Sequence, residues 1–183
     1  VTCTTNTRAI GGTVTGLVGT LTLANGADSL QRSADGAFTF AVRVAQGTTY
    51  AVVVTTQPTV QTCVVANGTG TAGGDDVTGI TVTCTTHTRT VGGSVAGLVG
   101  NLALANGAET LEITEDGEFR FLTSVDEGAG YAVTVARQPA LQTCTVARGE
   151  GTAGIADVAD VEVTCVTNTL FIGGTVAGLS GTV

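Results

Sequence analysis

The chain has 183 residues, of which 43% are hydrophobic and only 12% charged; its net charge is −8, and all seven basic residues are arginine. That balance excludes the basic footprint of a nucleic-acid binder and the polybasic patch that draws a protein to anionic lipid. It also excludes intrinsic disorder, which goes with fewer aliphatic residues and more charge, and no apolar run approaches the roughly 18 residues of a membrane-spanning helix.

Taken in chain order, residues 1–3 end on Cys3, and a short strand is expected around Gly11-Gly12-Thr13-Val14. Leu21 and Leu23 then alternate with small residues, Phe38 and Phe40 share a face, and so do Tyr50, Val52 and Val54. Cys63 and Val65 mark a further strand, and Ile80, Val82 and Cys84 the last. Period-two alternation of this kind is the mark of a half-buried strand, and no 3.6-residue period of helical length occurs.

Residues 85–165 follow the same plan. Thr90 to Ala96 reads as a strand, Leu102 and Leu104 mark a second, and Leu111 and Ile113 a third. Phe119 with Phe121, Tyr131 with Val133 and Val135, Cys144 with Val146, and Val161 with Val163 and Cys165 give four more. Asn106-Gly107 is a hairpin signal and Asp116-Gly117 a turn whose Asp is expected to cap its own backbone. Seven short strands separated by turn signals predict a β-sandwich.

Shifted by 81 residues, 4–84 and 85–165 agree at 45 of 81 positions without a gap. The predicted organisation is therefore the end of a preceding repeat (1–3), two β-sandwich repeats (4–84 and 85–165), and the first strand of a further repeat (166–183). Gly173-Gly174-Thr175-Val176-Ala177-Gly178-Leu179 carries the third occurrence of the first-strand motif. A fixed period of this length signals an array, of the kind used as a scaffold or a binding surface.

The repeat phase also accounts for an odd number of cysteines, since each unit owns two and Cys3 belongs with the repeat before. Two pairings fit. Cys63–Cys84 and Cys144–Cys165 would join consecutive strands within a unit, and each of these cysteines lies on the apolar phase of its strand. Cys3–Cys63 and Cys84–Cys144 would instead tie each unit to its predecessor. The intra-unit pairing is the preferred one, with Cys3 bonded to a preceding repeat. Such a bond contributes roughly 3 kcal/mol in the chain-entropy model. That is substantial for a domain of about 80 residues, and it requires an oxidising compartment.

The remaining motifs are read as structural. Gly68-Thr69-Gly70-Thr71-Ala72-Gly73 and Gly149-Glu150-Gly151-Thr152-Ala153-Gly154 match GxGxxG but precede a strand rather than a helix, so a glycine loop is expected and no dinucleotide site. His87 is the only histidine and stands where the other units have Asn6 and Asn168, so it is expected to be a surface residue; no triad can be assembled around it. The acids shared by both units are Asp28/Glu109, Asp35/Asp116 and Asp76/Asp157. A cation could gather only near Asp75 and Asp76, or Asp157 and Asp160, and neither a metal nor a cofactor is expected.

Five segments carry a resemblance: Val91-Gly92-Gly93-Ser94-Val95-Ala96-Gly97-Leu98, Asp116-Gly117-Glu118-Phe119-Arg120-Phe121, Tyr131-Ala132-Val133-Thr134-Val135, Gln138-Pro139-Ala140-Leu141-Gln142-Thr143-Cys144 and Val161-Glu162-Val163-Thr164-Cys165. Together they resemble the bacterial immunoglobulin-like tandem repeats of large secreted or surface proteins, and look like the transthyretin-like domains of collagen-adhesin stalks. The resemblance implies tandem seven-stranded immunoglobulin-like domains acting as spacers, stalks or fibre subunits. Stalk domains of that kind are often locked by a lysine isopeptide bond, which a lysine-free chain cannot form, so the disulfide would supply the staple.

The expected function is accordingly structural and non-enzymatic: a repeat segment of an extracellular bacterial fibre or cell-surface stalk that self-associates with neighbouring repeats or subunits. A mean hydropathy of +0.38 suits apolar surface buried between units or chains. Phe171, Ile172, Val176 and Leu179 are the expected residues of an inter-unit strand, added to a neighbour as a donor strand. The alternative is an adhesin or carbohydrate-binding array holding a host or matrix ligand at one end of each sandwich.

Overall fold

The structure, a computed structural model, describes residues 4–178 and 180–181; Cys3 and Leu179 lie outside the described residues. It is all-β, and it divides into two units with the break between Thr88 and Arg89; Asp126–Gly128 cluster with the first.

The first unit has ten strands: β1 Thr7–Arg8, β2 Ile10–Thr15, β3 Leu21–Asn25, β4 Asp28–Arg32, β5 Gly36–Thr39, β6 Val44–Ala45, β7 Thr49–Thr56, β8 Gln61–Ala66, β9 Thr69–Thr71 and β10 Val77–Thr86. The seven expected strands are all present. The three additional ones, β1, β6 and β9, are two or three residues long, too short to show a period.

One four-stranded sheet has the order β5-β2-β10-β8 and the other β4-β3-β7-β9, while β1 and β6 pair separately. Pairing is antiparallel except between β2 and β10, which run parallel. The alternation seen in the sequence places one apolar face of each sheet in a shared core. Ile10, Val14, Phe38, Ile80 and Val82 come from the first sheet, and Leu21, Leu23 and Val52 from the second. Phe38 and Phe40 meet edge to face, with ring centroids 5.9 Å apart.

The parallel contact explains the Gly-Gly pair. A bulge in β10 between Val77 and Ile80 brings its backbone against β2, and a Cβ on Gly12 would lie 1.9 Å from the Ile80 carbonyl oxygen. Only glycine fits there.

The second 81-residue repeat follows the same plan as β11 Thr88–Arg89, β12 Val91–Ala96, β13 Leu102–Asn106, β14 Glu109–Ile113, β15 Gly117–Arg120, β16 Val125–Asp126, β17 Gly130–Arg137, β18 Gln142–Ala147, β19 Glu150–Thr152 and β20 Val158–Thr167. Its sheets are β15-β12-β20-β18 and β14-β13-β17-β19. Val91, Val95, Leu102, Leu104, Phe119, Phe121, Val133, Val161 and Val163 form its core.

The expected first strand of a further repeat is not formed. Beyond β20, residues 168–178 adopt no strand and are exposed. In each complete unit the matching segment, β2 or its counterpart, is held between two strands that come later in the repeat.

Candidate functional site

The disulfides are Cys63–Cys84 and Cys144–Cys165, the intra-unit pairing. Cys63 stands directly opposite Cys84 in the antiparallel β8–β10 ladder, as Cys144 does opposite Cys165. All four cysteines are buried among core residues. The alternation puts them on the inner face, and the register then makes them partners.

The polar residues shared by the two units also hold backbone, and most reach further than the sequence suggests. Asp35 does not cap its own turn. Its carboxylate accepts the Gly16 and Leu17 N–H groups at 3.0 and 2.7 Å, and Asp116 accepts those of Gly97 and Leu98 at 2.9 and 2.7 Å. Two donors left bare by the bend after β2 outbid the local turn, because a carboxylate can take both at once. Asp28 accepts the Val42 N–H, and its longer counterpart Glu109 accepts both Leu122 and Thr123 N–H groups. Those two bonds hold the Glu109 carboxyl below its ordinary pKa.

Asp76 accepts the Ala9 N–H at 2.8 Å and meets Arg43 at 2.7 Å; Asp157 accepts the Thr90 N–H at 2.8 Å, with Arg120 at 3.6 Å. The backbone N–H bond is the main cause that lowers each pKa, and the arginine adds to it. Asp160 lies 3.5 Å from Arg148. Among the described residues no group of three or more His, Cys, Asp or Glu side chains gathers as a metal site.

Gln61 and Gln142 are the polar residues whose role the sequence reading missed. Both are buried. Gln61 Oε1 accepts the Val18 N–H at 2.7 Å, and its Nε2 donates to the Gly16 carbonyl at 2.7 Å and to Thr86 Oγ1 at 3.0 Å. Gln142 repeats these contacts with Val99, Gly97 and Thr167. Their recurrence at one position of both units, inside an apolar strand, was the available signal.

His87 is half-buried rather than a free surface residue. Its N–H donates to the Val60 carbonyl at 3.0 Å, Nε2 lies 2.9 Å from Thr62 Oγ1, and Nδ1 lies 3.1 Å from Glu127 Oε2. Asn168 uses its own N–H on Leu141 and its Oδ1 on Thr143 in the same way. An amide and an imidazole thus do one job, holding the loop before β8 or β18.

The glycine-rich run is not wholly a loop, because Thr69–Thr71 and Glu150–Thr152 are edge strands. Tyr50 lies over Gly70 in the β7–β9 pairing, and a Cβ there would come within 2.6 Å of its hydroxyl. The glycine makes room for a tyrosine ring, not for a phosphate. A groove of about 760 Å³ beside Val99, Leu141 and Gln142 has Arg137 as the one charged residue among its lining.

Of the expected inter-unit strand, Phe171, Ile172 and Val176 are 98%, 103% and 77% exposed. These features define a tandem pair of β-sandwich domains, each closed by one disulfide, as belongs in an oxidising compartment. No helix among the described residues is long and apolar enough to cross a membrane. No protein-family model matches the chain, and no curated protein matches it in sequence.

Proposed function

We propose that this chain is a structural repeat segment of an extracellular bacterial fibre or surface stalk, of the immunoglobulin-like tandem-repeat kind, and that it performs no catalysis. The observation that carries this reading is how the two units spend their shared polar side chains. Asp35, Asp76, Gln61 and Asn25, with their counterparts in the second unit, all bond to backbone of the unit that contains them. Residues kept through such a repeat serve the fold, as expected of a spacer that must bear load. Self-association through the exposed segment 171–178 belongs to the same reading.

An adhesive array has less support, since Phe38, Phe40, Phe119 and Phe121 are buried and Tyr50 and Tyr131 pack against the cores. Electron microscopy of the native material and of the purified chain tests the proposal. Filaments or thin stalks with a repeating bead are the expected result. Isolated globular particles in the native material, or specific capture by a glycan array, would overturn it.

A further inference from the structure

We propose that Asn67 carries an N-linked saccharide, and that this saccharide lies over the uncharged outer face of the β5-β2-β10-β8 sheet. Such a modification belongs to exported proteins, as the two disulfides do.

Asn67-Gly68-Thr69 is an acceptor sequence for N-glycosylation, and of the six asparagines in the chain only Asn67 has a serine or threonine two residues on. The fold accounts for one of the three residues. A Cβ on Gly68 would lie 2.7 Å from the Val52 carbonyl oxygen, and Gly149 is confined in the same way by Val133. It does not account for the other two. The turn holds Asn67 at a φ of 57°, a conformation asparagine adopts readily, yet Arg148 takes 53° at the same place. Thr69 pairs with Ala51 on the edge strand β9, where the second unit has Glu150 opposite Ala132. Asn67 and Thr69 are both exposed, so a transferase can reach the amide.

The second unit shows where a long substituent at this turn goes. Arg148 Nε donates to the Asp160 carbonyl at 2.8 Å, and its guanidinium continues to the Glu162 carboxylate. Asn67 starts on the same path, since its Nδ2 donates to the Gly79 carbonyl at 3.3 Å. Thr81 stands where the second unit has Glu162. A saccharide on Asn67 therefore leads onto the outer face at Thr81.

That face differs between the units. In the second, one row across the sheet reads Ala147, Glu162, Ser94 and Glu118. In the first it reads Ala66, Thr81, Thr13 and Ala37, and the next row reads Val64, Thr83 and Thr15. All seven of these residues are exposed and none is charged. Threonine hydroxyls donate and accept hydrogen bonds as sugar hydroxyls do, and their methyls, with Val64, meet the apolar C–H faces of a sugar ring. The second unit covers the same ground with the Arg148–Glu162 ion pair.

The transfer step balances with a diphosphate-activated saccharide as donor. Asn67 Nδ2 attacks the anomeric carbon, the new C–N bond replaces the C–O bond to phosphate, and the diphosphate leaves with that electron pair. One amide proton passes to a base of the transferase. The other N–H remains, enough for the Gly79 carbonyl.

Mass spectrometry of protein from the cells that make it tests the modification. Arginine-specific cleavage after reduction yields residues 44–89, in which Asn67 is the single asparagine. The peptide should exceed its sequence mass by a saccharide located on Asn67. Asn67→Gln and Thr69→Ala should remove the added mass, and Thr69→Ser should retain it. Both loss variants should fold, because Arg148 and Glu150 fill these positions in the second unit. An unmodified peptide, a saccharide that persists in Asn67→Gln, or undiminished occupancy in Thr69→Ala would overturn the proposal. Placement on the face has its own readout. With Cys3→Ser as background, Thr83→Cys should react with a polar maleimide several-fold more slowly when Asn67 is glycosylated than in Asn67→Gln. Thr164→Cys, at the matching place in the second unit, should react equally in both. Equal rates at Thr83→Cys would overturn the placement.

Discussion

The side-chain amide of Gln57 pairs with both backbone groups of Cys63: Oε1 accepts the cysteine N–H at 2.7 Å, and Nε2 donates to its carbonyl at 2.9 Å. Cys63 lies on β8, at the rim of its sheet, so these groups point away from β10. Cys63 and Cys84 are therefore a pair that exchanges no backbone hydrogen bonds, the arrangement in which facing side chains come closest and a disulfide can span them. Gln57 stands in for the missing outer strand, and Gln138 does the same for Cys144.

Gln57→Ala should leave both backbone groups of Cys63 without a protein partner. The expected loss is about 1–3 kcal/mol for the first unit, with the disulfide intact. Denaturant unfolding under non-reducing conditions measures it, and Gln138→Ala should act in the same way on the second unit. A loss confined to reduced protein would show that the amide supports the cysteines rather than the rim.

Gly12→Ala places a methyl group on the Ile80 carbonyl, and neither strand can yield without breaking the parallel β2–β10 ladder. Destabilisation above about 4 kcal/mol is expected, enough to remove the cooperative transition of the first unit. Gly93→Ala should do the same to the second unit through Val161. Gly174→Ala lies in the unpaired segment and should leave the thermal unfolding of both units unchanged. Calorimetry of the three variants makes the comparison.

Acid should weaken both units. Asp76, Asp157 and Glu109 each have a folded-state pKa below the ordinary value, chiefly through accepted backbone N–H bonds. A depressed carboxyl pKa contributes stability that is fully present above the unfolded-state value and is lost as pH falls through the folded-state one. Stability should therefore be level near neutrality and decline below the ordinary carboxylate range. Asp76→Asn and Asp157→Asn should lower stability at neutral pH and flatten the acid decline. Unfolding midpoints measured between pH 7 and pH 2 test this, and an unchanged slope in the double variant would count against it.

Much of this was legible in the chain because period-two alternation is a local signal. It places Leu21 and Leu23, or Val161, Val163 and Cys165, on one face before any fold is known, and it accounts for all seven main strands in each unit. The short strands Thr7–Arg8, Val44–Ala45 and Thr69–Thr71 were not legible, since two or three residues hold no period and their pairing is set by neighbours far along the chain. Asp35 was misread for a related reason. Its Asp-Gly context suggests a local cap, while the donors it meets belong to Gly16 and Leu17.

By itself the sequence determined the 81-residue unit, its all-β character, the inward phase of the cysteines and a third occurrence of the first-strand motif after the second unit. These follow from periodicity and self-similarity, which need no partner to be seen. Only the tertiary structure decided that β2 lies between β5 and β10, that Gly12 is needed because a carbonyl presses on it, and that Gln57 and Gln61 serve backbone groups inside the fold. Each of those is a contact between distant segments, and its geometry exists only once the two sheets have closed on each other.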